Sequence, residues 1–159
     1  MACHLAGGTH HAFPDYGSGF CIFNDIAVTA SVLLHQGLVG KLLVVDLDVH
    51  QGDATAAIFQ NEPRVFTFSA HAASNFPSRK QTSDLDLPLA DGLDDRAYLE
   101  SVGDVLPMLL DGQQPDLVLY NAGVDPHRDD RLGKLALSDQ GLLQRDHLVV
   151  YAALPAIRT

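Results

Sequence analysis

The feature that most constrains the fold of this chain is a short, continuously apolar segment, KLLVVD, at residues 41–46. A run of this length without polar alternation is typical of a strand that is buried on both faces of a sheet. Comparable runs follow as RVFTFS (64–69) and DLVLY (116–120), and helix-like segments lie between them. Strands that alternate with helices predict an α/β fold, in which a parallel sheet carries helices on both faces.

The segments around these strands carry the residues that begin and end helices. Asn24 or Asp25 can cap a helix, and Gly37 follows its expected end. Ser138 can cap a final helix that continues into the apolar segment before the C-terminus. Pro107 is expected to kink or shorten the helix that contains it. Helices are also predicted over residues 53–60 and 95–110, and residues 85–89 form a further separate segment between them.

Composition and charge narrow the functional classes. The net charge of −10 disfavours nucleic-acid binding and suits a cationic partner such as a lysine side chain, a basic tail or a polyamine, although solubility explains it equally. The apolar runs are too short to span a bilayer, so no membrane partner is expected. The N-terminus lacks the pattern of a secretory signal, and the two cysteines form no CxxC motif. We therefore expect a cytoplasmic protein.

The most informative segment is VVDLDVHQGD (44–53), at the end of the first buried strand. In an extended stretch, side chains two residues apart point the same way, so Asp46, Asp48 and His50 are expected to share one face. Ligands of parallel α/β sheets collect at the carboxyl ends of strands. Two carboxylates at such an end repel each other, and a divalent cation bound by them and by the imidazole would offset this repulsion.

Asp48 and His50 can supply two ligands of a zinc ion, which accepts oxygen and imidazole nitrogen alike. Asp125, which follows the strand at 116–120, is available as the third ligand. A competing interpretation is that these acids cap the helix at Asp53 and solvate a turn. That interpretation would be preferred for a single acid. The whole set of acids and histidine favours a metal site instead.

Adjacent histidines in the Gly-rich segment GGTHHAF (7–13) add a second element of chemistry. Imidazole is the usual proton carrier near neutral pH, so His10 and His11 are candidates for handling the proton of a metal-activated water. Each needs a carboxylate behind it to fix its tautomer, and Asp46 and Asp53 are the acids that remain available. Taken alone, such a pair is more often structural, and it is the neighbouring acids that favour catalysis.

Three motifs together resemble the histone deacetylase family, most closely its class IV and related bacterial members. They are GGTHHAFPDYGSGFCIFNDIA (7–27), VDLDVHQGD (45–53) and NAGVDPHRDDRLG (121–133). The resemblance extends to about residue 149. It implies an arginase/deacetylase-like fold and a zinc-dependent hydrolase that removes acetyl or longer acyl groups from lysine side chains.

The resemblance also implies roles for individual residues. Seven match the family's catalytic centre: the zinc ligands Asp48, His50 and Asp125, and the histidines His10 and His11 with their carboxylates Asp46 and Asp53. Four match its substrate channel: Phe20 and Phe76 as aromatic walls, Gly19 as the carbonyl that receives the substrate amide, and Leu132 at the rim. Five match a structural site for a monovalent cation such as K⁺: Asp46, Asp48, His50, Ser69 and Ala70. Ferrous iron suits the same ligands as zinc.

Two features of the family have no counterpart here, namely its Gly-Gly-Tyr loop and the strands before the paired histidines. The last tyrosine, Tyr151, lacks flanking glycines and is not assigned the oxyanion role. We therefore expect residues 1–159 to form a single, partial domain of an interrupted gene product. The alternatives are an acetylpolyamine or small-molecule amidohydrolase, an inactive metal-binding fragment, and a two-metal enzyme of the arginase type.

Overall fold

The computed structural model describes residues 1–5 and 8–156, so Gly7 of the paired-histidine motif lies outside the described residues. Within this part, helices and strands alternate along the chain. They are α1 (Asp25–His35), β1 (Leu42–Asp46), α2 (Asp53–Phe59), β2 (Val65–Ala72), β3 (Leu85–Leu89), α3 (Asp95–Gln113), β4 (Leu117–Asn121) and α4 (Asp139–Ala156). None of the helices described is both long enough and apolar enough to cross a membrane.

The four strands form one parallel sheet in the order β3-β2-β1-β4. The chain passes from β1 to β2 on one side and later returns to place β4 on the other side of β1. The carboxyl end of β1 therefore lies at the point where the strand order reverses, which is where ligands of open α/β sheets bind. In the register of the sheet, Asp46 at the end of β1 pairs with Ser69 of β2 and Asn121 of β4.

Helices cover both faces of the sheet, as the alternation of the sequence predicts. On one face, Leu42 and Val44 of β1 pack with residues of α1 and α2. On the other face, Leu43 and Val45 pack with residues of α3 and α4. All five residues of β1 are buried, and burial of each apolar one contributes about 1.5–3 kcal/mol. The strand is thereby fixed between two apolar layers, and its polar C-terminal residue is held at a defined position.

Two element boundaries differ from the sequence prediction. β2 continues past Ser69 to Ala72, because this extension pairs in register with β3. α3 passes through Pro107 and reaches Gln113, so the proline does not shorten it. A proline inside a helix costs about 3 kcal/mol. The leucines around it at positions 106, 109 and 110 are buried, and each contributes about 1.5–3 kcal/mol, so packing outweighs the lost hydrogen bond.

Candidate metal centre

Three potential metal ligands meet where the carboxyl ends of β1 and β4 lie side by side. Asp48 and His50 follow β1, and Asp125 follows β4. Each offers one ligand atom, and the three atoms all lie within 4.8 Å of one another. Asp48 is buried, whereas His50 and Asp125 are partly exposed, so the cluster reaches the surface on one side.

The surroundings of His50 show why this set suits a cation. Its Nδ1 lies 3.0 Å from Asp48 Oδ1 and 3.0 Å from Asp125 Oδ2. A single Nδ1 carries at most one proton, so it can donate fully to only one of these carboxylates. Burial lowers the pKa of His50, but hydrogen bonds to Asp125 and Asp48 outweigh burial and raise it to about 9. Two carboxylates and one imidazole nitrogen form a ligand set that zinc accepts, so the residues present fit a divalent metal.

The segment that carries two of these ligands departs from the extended geometry that its spacing suggests. β1 ends at Asp46, and the chain bends over the residues that follow. The Asp48 amide donates to Asp46 Oδ1 over 3.2 Å, and the His50 amide donates to Asp48 Oδ1 over 2.8 Å. Leu47 and Val49 are fully buried beneath the bend. Hydrogen bonds from backbone amides to carboxylates, rather than the pleat of a strand, thus direct the ligands toward the site.

A close approach of backbone joins this segment to the loop after β4. The Val49 amide donates to Asp125 Oδ1 over 3.0 Å, which leaves Oδ2 directed at His50. Gly123 lies directly against Asp48: a Cβ atom there would fall 2.7 Å from Asp48 Oδ2 and 2.8 Å from its Cα. The two loops can therefore come this close only because residue 123 has no side chain.

Two histidine–carboxylate pairs lie beside the metal ligands. His10 Nδ1 lies 2.5 Å from Asp46 Oδ2, and His11 Nδ1 lies 2.6 Å from Asp53 Oδ1. All four residues are buried, and the centres of the two imidazole rings are 4.1 Å apart. Each carboxylate occupies the Nδ1 side of its ring, which leaves Nε2 as the atom that can exchange a proton. His10 Nε2 lies 3.7 Å from Asp48 Oδ1, so this pair adjoins the ligand cluster directly.

The buried charges of the centre act on one another. Burial lowers the pKa of His10, but the charge of Asp46 and its hydrogen bond outweigh burial and raise it to about 9. Burial would raise the pKa of Asp48, yet the hydrogen bond from His50 and the charge of His10 lower it. Asn121, which is level with Asp46 in the sheet, donates from Nδ2 to Asp46 Oδ1 over 3.0 Å. The carboxylates around His10 and His50 thus favour the protonated form of each imidazole.

Side chains at the start of α1 hold the paired histidines in place. Asn24 caps α1 with its side-chain oxygen, as predicted, and its Nδ2 donates to Thr55 Oγ1 of α2 over 3.0 Å. Thr9 Oγ1 donates to Asp25 Oδ1 over 2.7 Å. The Thr55 amide donates to the carbonyl of His10 over 3.3 Å. The loop before α1 is therefore attached to both helices on this face of the sheet.

The residues expected to line a substrate channel differ in their distance from the site. The ring of Phe76 packs edge-on against His11, with 4.9 Å between ring centres, and the side chain is 43% exposed. Gly19 also lies against His11, has a φ of +50° and leaves no room for a Cβ atom. The neighbouring Phe20 has a φ of +65° and a fully exposed side chain. Among the described residues, no direct ring contact joins Phe20 to Phe76.

Asn75 connects the loop that carries Phe76 to the loop that carries Leu132. Its Nδ2 donates to the carbonyl of Leu132 over 2.8 Å, and its Oδ1 accepts from the Lys134 amide over 2.9 Å. Leu132 itself is 63% exposed. The loop that carries Phe76 is thereby attached to the loop that carries Leu132. Sequence reasoning missed Asn75, because nothing in the sequence marks an asparagine in a polar loop as buried.

Two of the residues expected to hold a monovalent cation are neighbours in the sheet, Asp46 at the end of β1 and Ser69 within β2. Ser69 is level with Asp46 in the sheet, and both Ser69 and Ala70 are buried. Ser69 Oγ lies 3.0 Å from His71 Nδ1. Burial lowers the pKa of His71, so its ring is a neutral hydrogen-bonding partner at this position.

Sequence reasoning also missed Arg145, which is buried beneath the ligand loops. Its Nη1 donates to the carbonyls of Gly123 and Leu47. A signal for its burial was present in the sequence. Arg145 falls three residues after Leu142 and four before Val149, on the apolar face of α4 where a charged side chain is unusual.

Comparison with known proteins identifies the family. The profile of the histone deacetylase domain matches residues 1–158. This chain belongs to the histone deacetylase family. An uncharacterised protein of Picosynechococcus sp. is 58% identical over 156 residues, which cover 98% of this chain and 52% of that protein. The acetoin utilization protein AcuC of Staphylococcus aureus is 33% identical over 163 residues, which cover 95% of this chain and 42% of that protein.

A solved structure shows the same fold. The crystal structure of a histone deacetylase homologue from Aquifex aeolicus matches with a TM-score of 0.83 at 30% identity, covering 92% of this chain and 42% of that one. The family and the fold that the three sequence motifs indicate are thereby confirmed. The chain spans about half the length of the curated relatives it matches, 52% of the Picosynechococcus protein and 42% of AcuC.

Proposed function

We propose that this chain carries the metal centre of a zinc-dependent hydrolase that removes acetyl, or longer acyl, groups from lysine side chains of histones or other proteins. One observation supports this most: the three ligand atoms lie within 4.8 Å of one another, and two buried histidine–carboxylate pairs adjoin them. Metal-assisted hydrolysis of an amide uses a Lewis acid and groups that move protons, and candidate residues for holding the one and supplying the others lie in one place. Membership of the histone deacetylase family supports the same reaction class.

The metal is proposed to be held by Asp48, His50 and Asp125. When bound, zinc supplies a Lewis acid that polarises an acyl carbonyl and lowers the pKa of water to about 7. Ferrous iron suits the same donors and is the alternative metal. A structural K⁺ ion is proposed next to this centre, between the end of β1 and the neighbouring part of β2, with Ser69 and Ala70 among its ligands.

His10 and His11 are proposed to move the protons of the reaction. One takes a proton from the attacking water through its Nε2, and the other gives a proton to the departing amine. Asp46 and Asp53 accept from the two Nδ1–H groups, which orients each ring and stabilises the imidazolium as it forms. Both pairs are buried, so the rings cannot turn to other partners in water.

The substrate class follows from the rim and from the charge of the chain. Phe76, beside His11, and the exposed Phe20 are proposed to contact the stem of an acyl-lysine, while Leu132 lies at the entrance and the Gly19 carbonyl accepts from the substrate amide. The net charge of −10 suits a protein substrate that is rich in lysine. The same charge suits an acetylpolyamine or another small acylated amine, which is the second candidate substrate.

The test is the zinc content of the purified, dialysed chain, compared between the native sequence and Asp125→Ala. We expect about one zinc per chain in the native protein and none in the variant, because the loss of one of three ligands leaves too few. Asp129→Ala is the matched control, since Asp129 is an exposed acid four residues further along the same loop. Absence of zinc from the native chain, or equal zinc in Asp125→Ala, contradicts the proposed centre.

Turnover then separates the candidates. The zinc-loaded chain is assayed with an acetyl-lysine peptide and with an acetylpolyamine at equal concentrations. Faster release of acetate from the peptide supports a protein deacetylase, and faster release from the polyamine supports the second candidate. Stoichiometric zinc without turnover of either identifies this chain as a metal-binding unit that does not complete catalysis alone.

A further inference from the structure

We propose that Arg145 is a positioning residue that sets the distance between the two loops carrying the metal ligands. This inference rests on the proposed metal centre and adds to it a residue that is neither a ligand nor a proton carrier. Arg145 lies on α4, outside both loops, and only 1% of it is exposed. An arginine is seldom buried so completely unless its donors have partners, so its contacts indicate why it is there.

One nitrogen of Arg145 joins the two loops. Nη1 donates to the carbonyl of Gly123 over 2.6 Å and to the carbonyl of Leu47 over 3.3 Å. Leu47 directly precedes the ligand Asp48, and Gly123 lies two residues before the ligand Asp125. A shift of Arg145 would therefore move the backbone next to a ligand in each loop.

The other two nitrogens of the Arg145 guanidinium group are bound by Asp146, its neighbour on α4. Nε and Nη2 donate to Asp146 Oδ1 over 2.9 and 2.8 Å. The Tyr120 hydroxyl, on β4, donates to the same oxygen over 2.6 Å. The Arg145 guanidinium also lies 6.0 Å from the centre of the Tyr120 ring. The orientation of Arg145 is thus fixed by groups on α4 and β4 before it reaches the loops.

The charge and shape of arginine both matter at this position. Asp48 and Asp125 are brought together although both are acidic, and a buried cation behind their backbone opposes the repulsion between them. The planar guanidinium presents several donors at fixed angles, which a flexible lysine does not reproduce. Removal of groups that orient metal ligands from behind costs roughly 10–100-fold in metal affinity.

The experiment compares Arg145→Met, Arg145→Lys and Leu106→Ala with the native chain. Co²⁺ is titrated into each protein, and its visible absorption reports both affinity and coordination geometry. Thermal unfolding of the metal-free proteins is measured in parallel. Leu106, on α3, is 1% exposed and lies in the apolar core, so Leu106→Ala destabilises the fold without removing a hydrogen bond of the ligand loops.

We expect Arg145→Met to weaken Co²⁺ binding by roughly 10–100-fold and to change the absorption spectrum. Arg145→Lys should recover part of the affinity, whereas Leu106→Ala should lower the unfolding temperature and leave affinity and spectrum unchanged. If Arg145→Met does not fold, Arg145→Lys decides by the same two readings.

The results separate this inference from the function on which it rests. A native chain that binds no Co²⁺ overturns the metal centre and this inference with it. A native chain that binds Co²⁺, with native affinity and spectrum in the folded Arg145 variants, overturns only the role of Arg145. Equal loss of affinity in Leu106→Ala also overturns it, because general stability would then explain the effect.

Discussion

The floor and the rim of the candidate site are built in different ways. We define the floor as the buried residues His10, His11, Asp46, Asp48 and Asp53, which are 1–8% exposed. The rim consists of Phe20, Phe76 and Leu132, which are 43–100% exposed. Polar groups of the floor find their partners inside the protein, while side chains of the rim are largely surrounded by solvent.

This difference separates two properties of the site. A buried polar group that loses its partner costs about 1–3 kcal/mol, so the floor permits few arrangements other than the one observed. The rim is held by its backbone, as in the hydrogen bond from Asn75 to the Leu132 carbonyl, and its side chains keep their freedom. Changes in the floor should therefore alter metal binding and stability, and changes in the rim should alter the choice of substrate.

The largest effect is expected from Gly123→Ala, which tests the close approach of the ligand loops. The added Cβ would fall 2.7 Å from Asp48 Oδ2 and 2.8 Å from Asp48 Cα, and the backbone of Asp48 cannot give way cheaply. An overpacking cost near 3 kcal/mol corresponds to about a 100-fold loss of zinc affinity, measured by competition with a chelator. Gly112→Ala is the control, because nothing lies within 4 Å of the Cβ that it adds on α3. Equal affinities of the two variants would contradict the requirement for glycine.

The next effect distinguishes Asp46 from Asp53, the two carboxylates of the floor that pair with histidines. Asp46 accepts from the His10 ring, from Asn121 and from a backbone amide. In the described part of the chain, the side chain of Asp53 has the His11 ring as its partner. An asparagine offers one acceptor oxygen, so Asp46→Asn should lower the free energy of unfolding by about 2–3 kcal/mol and Asp53→Asn by about 1 kcal/mol. Urea unfolding of the metal-free proteins measures the free energy of unfolding of both variants. An equal loss in the two would contradict the expected difference between Asp46 and Asp53.

A change of one pH unit is expected to have a smaller effect. Burial lowers the pKa of His50, but hydrogen bonds to Asp125 and Asp48 raise it to about 9 in the metal-free protein. A metal must displace that proton, so zinc affinity should rise by about tenfold per pH unit up to about pH 9 and then level off. The raised pKa stabilises the metal-free fold fully below about pH 6.5, and this contribution is lost as the pH rises through about 9. Chelator competition between neutral pH and pH 9 measures the trend, and a flat profile would show that His50 is already neutral.

Much of the fold could be predicted because local signals and packing agree. Asn24, one of the two predicted caps, is the N-cap of α1, and the strand Leu42–Asp46 lies within the apolar segment that predicts it. The convergence of Asp48 and Asp125 was also predictable, since both follow strands and parallel strands place their carboxyl ends together. The directions in which the side chains of Asp48 and His50 point were not predictable, because the chain bends after Asp46 and hydrogen bonds set the geometry.

The rest depends on contacts between segments that are distant in the sequence. The burial of Arg145 depends on which face of α4 meets the ligand loops, and no local pattern specifies its partners Leu47 and Gly123. The extension of β2 to Ala72 depends likewise on pairing with β3. The apolar face of α4 marks Arg145 as buried, but its partners and the end of β2 arise only in the assembled sheet, so the sequence alone could not specify them.

The smallest effects are expected in the rim, where Phe20→Ala and Phe76→Ala form a matched pair. The Phe20 side chain is fully exposed, so its removal should change the free energy of unfolding by less than about 0.5 kcal/mol. Phe76 packs against His11 with 4.9 Å between ring centres, and loss of such an aromatic pair should cost about 0.5–1.5 kcal/mol. Among the described residues, Phe20 has no ring contact with a metal ligand, whereas the Phe76 ring packs edge-on near the ring of His50, with 6.4 Å between ring centres. Zinc affinity should therefore stay the same in Phe20→Ala and change only slightly in Phe76→Ala. Urea unfolding and zinc competition check this, and a loss of zinc affinity in Phe20→Ala would mean that the rim and the floor are a single unit.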